Sequence, residues 1–377
     1  MPRPLPVLAS LLVIGAAAPT GAEPTRAQLE VGTEYDSNVY RLESGPGAEV
    51  AGPAAPMGRL GGRLSKVWSR AHTIAASASA SMRSSLDRAV DREDAGIVTA
   101  EVRALRRLPE RGLVVGAVAS YYDVLALTVA DNPRAFRTLG AGLQLSWPGP
   151  DGDGQGSVTL GLRDVAYKPD PDFAWTGPYL AVHLETTLWR SADDTRTLEL
   201  AGDVRSEHRA YAGRALAWRC PADAPYQPRC TGPTELPRRD LQHAARIETT
   251  YTGERVLSAA YQLGYADSSS FGQSTLRHRL DLAATTELPG RIYATLTLTA
   301  QLDQYLDGLI IARDVAAQTF TTFEDDNRSA LHARLSRALS RRWTVEGRLS
   351  GWATLAGDAG QYRRLLASVG LTWSTPE

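Results

Sequence analysis

Charged side chains recur two residues apart along this chain of 377 residues. Glu34 and Asp36 do so inside the octet EYDSNVYR at 34–41, with the neutral Asn38 continuing the spacing, and Glu101 with Arg103, Arg246 with Glu248, Arg279 with Asp281, and Glu346 with Arg348 repeat it. Three kinds of chemistry are open to such residues. The octet could ligate a cation, but the Asp-rich spacing and central Gly of a calcium loop are missing. Catalysis needs a nucleophile and a base within hydrogen-bond reach. His72, His183, His208, His243, His278 and His332 are instead scattered one per segment, with neither G-x-S-x-G nor H-E-x-x-H, so an enzyme is disfavoured. The third kind is electrostatic. A spacing of two puts charges on one face of an extended strand, where opposite signs pair with neighbours or line a passage.

Cys220 and Cys230 stand in WRCPADAPYQPRC, ten residues apart. In an exported chain they predict one disulfide stapling a loop. Two thiols with no His nearby make a poor zinc site, and no metal or other cofactor is expected.

Export is written at the start of the chain. One Arg precedes an apolar stretch from Val7 to Ala18, and small residues follow up to Ala22. This predicts a signal peptide over 1–22, cleaved after Ala22, with 23–377 as one unit. Only Arg3 of the 41 basic residues lies in that signal, against 42 acidic residues overall, a balance that excludes a nucleic-acid partner. No apolar run of about 18 residues follows, so a transmembrane helix is excluded.

The remaining chain reads as segments alternating apolar and polar residues with period two. Leu29, Val31, Thr33 and Tyr35 alternate with Glu30, Gly32, Glu34 and Asp36; Leu296, Leu298, Ala300 and Leu302 alternate with Thr297, Thr299, Gln301 and Asp303. Sixteen segments begin near residues 28, 58, 72, 96, 113, 136, 156, 178, 196, 240, 255, 276, 291, 328, 343 and 362. Short connections (such as 108–112, 190–195 and 340–342) alternate with long ones (43–57, 125–135, 210–239 and 306–327). An even strand count with that asymmetry predicts an all-β fold: a transmembrane antiparallel barrel with short periplasmic turns and long extracellular loops.

Aromatic placement agrees. Trp68, Trp147, Trp189, Trp343 and Trp373 fall at the short-turn end, and Tyr35, Tyr121, Tyr167, Tyr179, Tyr211, Tyr265, Tyr305 and Tyr362 near the other, as interfacial girdles require. The inward phase then carries Glu30, Glu34, Asp36, Asn38, Arg59, Arg63, Glu101, Arg103, Arg163, Arg205, Arg246, Arg279, Asp281 and Arg348. These are the candidate lumen-lining residues, either paired in a solvated interior or forming a selectivity lining. Inward aromatics are few: Tyr293, Tyr305 and Trp352. Asp164 and Arg337 fall on the lipid phase, which demands either positions near an interface or a slip of register. The segment 329–343 also fits an amphipathic helix, but sixteen strands close evenly and fifteen do not.

Tyr35-Asp36-Ser37-Asn38-Val39 in a first strand resembles the Y-D-S/D-N-V/I signature of several bacterial outer-membrane barrel families. These include barrel porins found alongside exopolysaccharide secretion systems and the barrels of surface-lipoprotein assembly modifiers. The resemblance implies an outer-membrane channel exporting polysaccharide or another envelope-linked solute, in contact with lipid and with periplasmic components of its machine. The helical-repeat domain of the modifiers is not expected, because about five residues separate Ala22 from the first strand. The rival reading is a plugged structural barrel within a trans-envelope secretion or motility complex.

Overall fold

A computed structural model describes residues 21–22, 25–39, 53–69, 72–87, 89–90, 94–109, 112–127, 135–149, 153–220, 230–306, 329–353 and 363–375. The expected signal, apart from Gly21 and Ala22, and most of the long connections lie outside these residues. The strands are β1 (Gly21–Ala22), β2 (Arg26–Asp36), β3 (Ala55–Ser69), β4 (Thr73–Ser85), β5 (Ala95–Leu108), β6 (Leu113–Ala126), β7 (Phe136–Pro148), β8 (Gly154–Tyr167), β9 (Trp175–Arg190), β10 (Thr197–Trp218), β11 (Thr231–Thr252), β12 (Arg255–Ser268), β13 (Thr275–Leu288), β14 (Ile292–Tyr305), β15 (Ser329–Ala338), β16 (Trp343–Ala353) and β17 (Arg363–Ser374). Strand β1 is a two-residue bridge onto the end of β3. The other sixteen form a single antiparallel barrel in sequence order, and β17 pairs with β2 to close it. Fifteen of the sixteen start within three residues of the sequence expectation.

The strands are inside out relative to a soluble protein. Leu29, Val31, Leu143, Leu160, Leu162, Leu184, Ile247, Leu296 and Val369 are exposed, whereas Glu34, Asp36, Glu207 and Asp240 are buried. Leu143 is 70% exposed while Asp36 is 0% exposed. In water, each Å² of that outer apolar surface would cost about 25 cal/mol. In lipid it costs nothing, and closure leaves no strand edge unpaired in the hydrocarbon. The barrel therefore sits in a membrane, and its architecture is that of bacterial outer-membrane barrels. Trp68, Trp189 and Trp343 are exposed at the short-turn end and Tyr35 and Tyr265 at the other, so both girdles are present.

Four expectations need correction or refinement. Tyr167, Tyr179 and Tyr211 do lie near the long-connection end, but their strand phase points them inward, and Tyr167 and Tyr211 are buried. Inward aromatics are therefore not few: Trp175, Tyr122 and Phe136 join them, the last two stacked at 5.4 Å. The stretch 210–239 is not one loop of about 30 residues. Strand β10 runs on to Trp218 and β11 begins at Thr231, as a long hairpin whose register shifts at Arg214 and Leu216. Pro237 and Pro233 sit opposite those two irregular positions, where a missing N–H breaks no regular ladder; the prolines had marked the stretch as a loop. Finally, Asp164 and Arg337 keep the outward phase without any slip. They stand three residues from the end of β8 and one from the end of β15, near the barrel's two rims. The 329–343 segment forms β15 and the turn into β16, not a helix.

Cys220 and Cys230 are disulfide-bonded with Cα atoms 5.0 Å apart, next to a backbone bond from Arg219 N–H to the Cys230 carbonyl at 2.7 Å. Neighbouring connections brace this hairpin. Ala212 N–H donates to the Ala174 carbonyl at 2.8 Å and Phe271 N–H to the Leu216 carbonyl at 2.8 Å, with Phe271 against Trp218 at 5.4 Å. The staple thus closes a tip already tied down on both sides.

Two outcomes follow. The refolded protein should give a β-rich circular dichroism spectrum and a gel mobility that changes on boiling; a helical spectrum would contradict the fold. Replacing Cys220 and Cys230 together by Ser should leave that heat-modifiable band in place, because the strands rather than the staple hold the barrel; its loss would show the opposite.

The charged inner wall as candidate functional site

The octet EYDSNVYR ends strand β2 and begins the seam with β17. Asn38 N–H donates to Asp36 Oδ1 at 3.0 Å, turning the chain out of the strand. The Asp36 carboxylate is completely buried and receives a fork from Arg364: Nε to Oδ1 at 2.9 Å and Nη2 to Oδ2 at 2.5 Å. Ser37 N–H donates to the Leu365 carbonyl at 2.9 Å, while Leu365 N–H donates to Ser37 Oγ at 2.8 Å. Asn38 Nδ2 donates to the Arg363 carbonyl at 3.2 Å. Asp36, Ser37 and Asn38 therefore all fasten the first strand to the last. Their short polar side chains are needed because each reaches backbone or a guanidinium across one strand spacing.

From this seam a ladder of charge spreads sideways. Arg83 on β4 lies 3.4 Å from Asp36 and 3.2 Å from Glu34, and Arg59 on β3 lies 3.5 Å from Glu34 and 3.7 Å from Glu30. Three guanidiniums thus meet three carboxylates. Arg364 also covers the Trp352 ring at 4.9 Å. A second group spans β11 to β13: Arg246 pairs with Glu248 at 2.9 Å and reaches over β12 to Asp281 at 2.8 Å, where Arg279 pairs at 3.0 Å. Ala260, opposite Asp281 on β12, is small and buried, which leaves room for that bridge. Arg277 and Asp303 continue it at 2.7 Å. Strands β15 and β16 hold Arg334, Arg348 and Glu346 together. On β9 and β10, His183 meets Asp203 at 2.8 Å and Glu185 at 3.4 Å.

Every candidate residue on a strand lies on the phase opposite to the exposed apolar side chains, and Asn38 lies just past the end of β2. The structure brings Glu30, Glu34 and Asp36 together with Arg59, Glu101 with Arg103, and Arg246 with Asp281 and Arg279. Arg163 and Arg205 share the Glu207 carboxylate, which the sequence did not single out. Arg83, Arg209, Arg238, Arg364 and Asp240 were missed likewise. The period-two phase carries all of them, but which phase-mates touch is set by register between strands, which one sequence does not show.

Removing one partner from the buried seam pair leaves the other charge unpaired, a change that costs about 3–5 kcal/mol. Asp36→Ala should therefore weaken the barrel toward urea far more than Glu235→Ala, because the Glu235 pair with Arg214 is exposed on both sides. Equal midpoints for the two variants would show that the seam pair carries no special weight.

No protein-family model matches the sequence, and no curated protein matches it. Solved structures do. OccK1 of Pseudomonas aeruginosa superposes with a TM-score of 0.47 at 10% identity, covering 94% of this chain and 100% of its own. A bacterial polysaccharide outer membrane secretin gives 0.44 at 9%, covering 93% and 98%, and OccAB1 of Acinetobacter baumannii gives 0.46 at 9%, covering 93% and 96%. At these identities the likeness concerns fold alone, and it reaches no residue of the inner wall.

Proposed function

We propose that this protein is an outer-membrane channel whose inner wall, lined by the residues above, passes a polar solute, with export of a polysaccharide or another envelope-linked solute as its task. One observation carries the reading: the two phases of the same strands are opposite in chemistry, apolar toward lipid and polar or ionic within. The wall is also uneven. Strands β6 and β7 present Val118, Ser120, Gly140, Gly142, Gln144 and Ser146 inward, all uncharged and mostly small, while the long arginines stand on other strands.

The polysaccharide cargo rests on the resemblance of residues 35–39, and Asp36, Ser37 and Asn38 are occupied with closing the barrel. The match therefore supports the architecture more strongly than the cargo. In this reading periplasmic components of the export machine meet the short-turn rim, where both ends of the barrel chain lie: Ala27 N–H donates to Thr375 Oγ1 at 3.1 Å.

Planar-bilayer recording tests the proposal. The purified protein, retaining its heat-modifiable band, should give steady ohmic steps. A folded protein that inserts without conducting would replace this reading with that of a plugged structural barrel.

A further inference from the structure

On the inner face of β8–β10, near the long-connection rim, one carboxylate serves three guanidiniums. Glu207 Oε1 lies 2.9 Å from Arg205 Nη2 and 3.3 Å from Arg163 Nη1, and its Oε2 lies 2.7 Å from Arg209 Nη2. Glu207 is buried, and among the described residues none of the three arginines has a second carboxylate partner. Two positive charges are left over. The other groups on the wall differ. The seam sets three arginines against three acids, and Asp281 and Glu248 answer Arg246 and Arg279. Arg334 and Arg348 share Glu346, but both are well exposed to solvent. The neighbouring Arg238 and Asp240 pair with each other at 2.6 Å and add no net charge.

The surplus guanidiniums are also held in place. Tyr179 stands between Arg163 and Arg205, with their Cζ atoms 5.5 and 5.1 Å from its ring centroid, and Arg209 lies over Trp175 at 4.3 Å. Tyr179 can lie against the wall because two glycines do. A Cβ on Gly161 would stand 2.7 Å from Tyr179 Cε1, and one on Gly142 would stand 3.0 Å from its hydroxyl. With their faces used on aromatic rings and Glu207 shared, the arginines keep N–H edges free for another acceptor. Arg163 and Arg205 are the accessible members, with side chains 19% and 21% exposed.

We propose that the Arg163–Tyr179–Arg205 platform is a binding site for an oxyanion group, a carboxylate or phosphate carried by the solute, which supplies the missing negative charge through charge-assisted hydrogen bonds. This rests on the channel reading for its purpose but not for its existence. It deepens that reading by naming an acidic solute class and predicts a pore that favours anions over cations.

The test uses the refolded full barrel in detergent and in bilayers, with inorganic pyrophosphate and citrate as probes. Calorimetry should show both binding the unaltered protein. Arg163→Gln with Arg205→Gln should weaken binding about tenfold, and the chloride-over-potassium preference from reversal potentials should fall by about threefold or more. Glu207 keeps Arg209 in that variant, so no buried charge is orphaned; boiled and unboiled gels check the fold, and Tyr179→Leu serves as a second variant expected to weaken binding. Unaltered protein that binds neither probe, or variants that bind as well as it does, would overturn the site. Arginine-dependent binding without conductance would uphold the site and defeat the channel reading. Conductance with unchanged ion preference and no binding would do the reverse.

Discussion

Closure is the constraint on which the rest of this structure depends. An open sheet in hydrocarbon would leave a row of N–H and C=O groups at each edge without partners, at several kcal/mol per group. The first strand must therefore find the last, across more than three hundred residues of chain. Nine registered pairs from Leu366 opposite Asp36 to Ser374 opposite Gln28 make that junction. At its long-connection end Asp36, Ser37 and Asn38 lock it with side chains. An ion pair this buried is weak evidence for net stability, since desolvation offsets the attraction. Its value here is in register. A slip of one residue would turn Asp36 to lipid and leave Arg364 facing apolar side chains, so only one closure is tolerable.

The same logic shapes the inner wall. Lipid demands apolar residues on the outer phase, and the inner phase is then free to be ionic. Arginine dominates the cations there because its planar fork bridges strands and stacks on rings, as Arg246 does across β12 and Arg163 and Arg205 do on Tyr179. Where acids match arginines the wall is self-satisfied. Where they do not, around Glu207, the wall holds charge in reserve.

Much of this was legible in the sequence. Strand number, inward phase and both girdles follow from period-two alternation and from the order of short and long connections, since lipid imposes both directly. The disulfide pairing was likewise readable from two cysteines in a short Pro-rich stretch. The hairpin extension was hidden because Pro233 and Pro237 signal loop, and only the partner strand reveals that they face irregular positions. The inward turn of Tyr179 and Tyr211 was hidden for another reason: an aromatic near a rim fits a girdle equally well until its phase is checked. The Glu207 cluster required lateral register, because Arg163, Tyr179 and Arg205 come from three strands.

The octet at 34–41 illustrates the boundary. As sequence it could be a ligand loop, a strand end or a register device, and its resemblance to barrel families implies a cargo. In the structure Asp36, Ser37 and Asn38 bind the chain's own last strand. The most direct test is therefore the seam register itself. Thr33 stands opposite Val369 on adjoining strands. Thr33→Cys paired with Val369→Cys should be joined by a short thiol-specific crosslinker in the folded, membrane-inserted protein and should then migrate as a closed ring on denaturing gels. Failure of that pair to join, or equal joining of Thr33→Cys with a cysteine in place of Val204 on β10, eight strands away across the barrel, would contradict a sixteen-stranded barrel closed between β2 and β17.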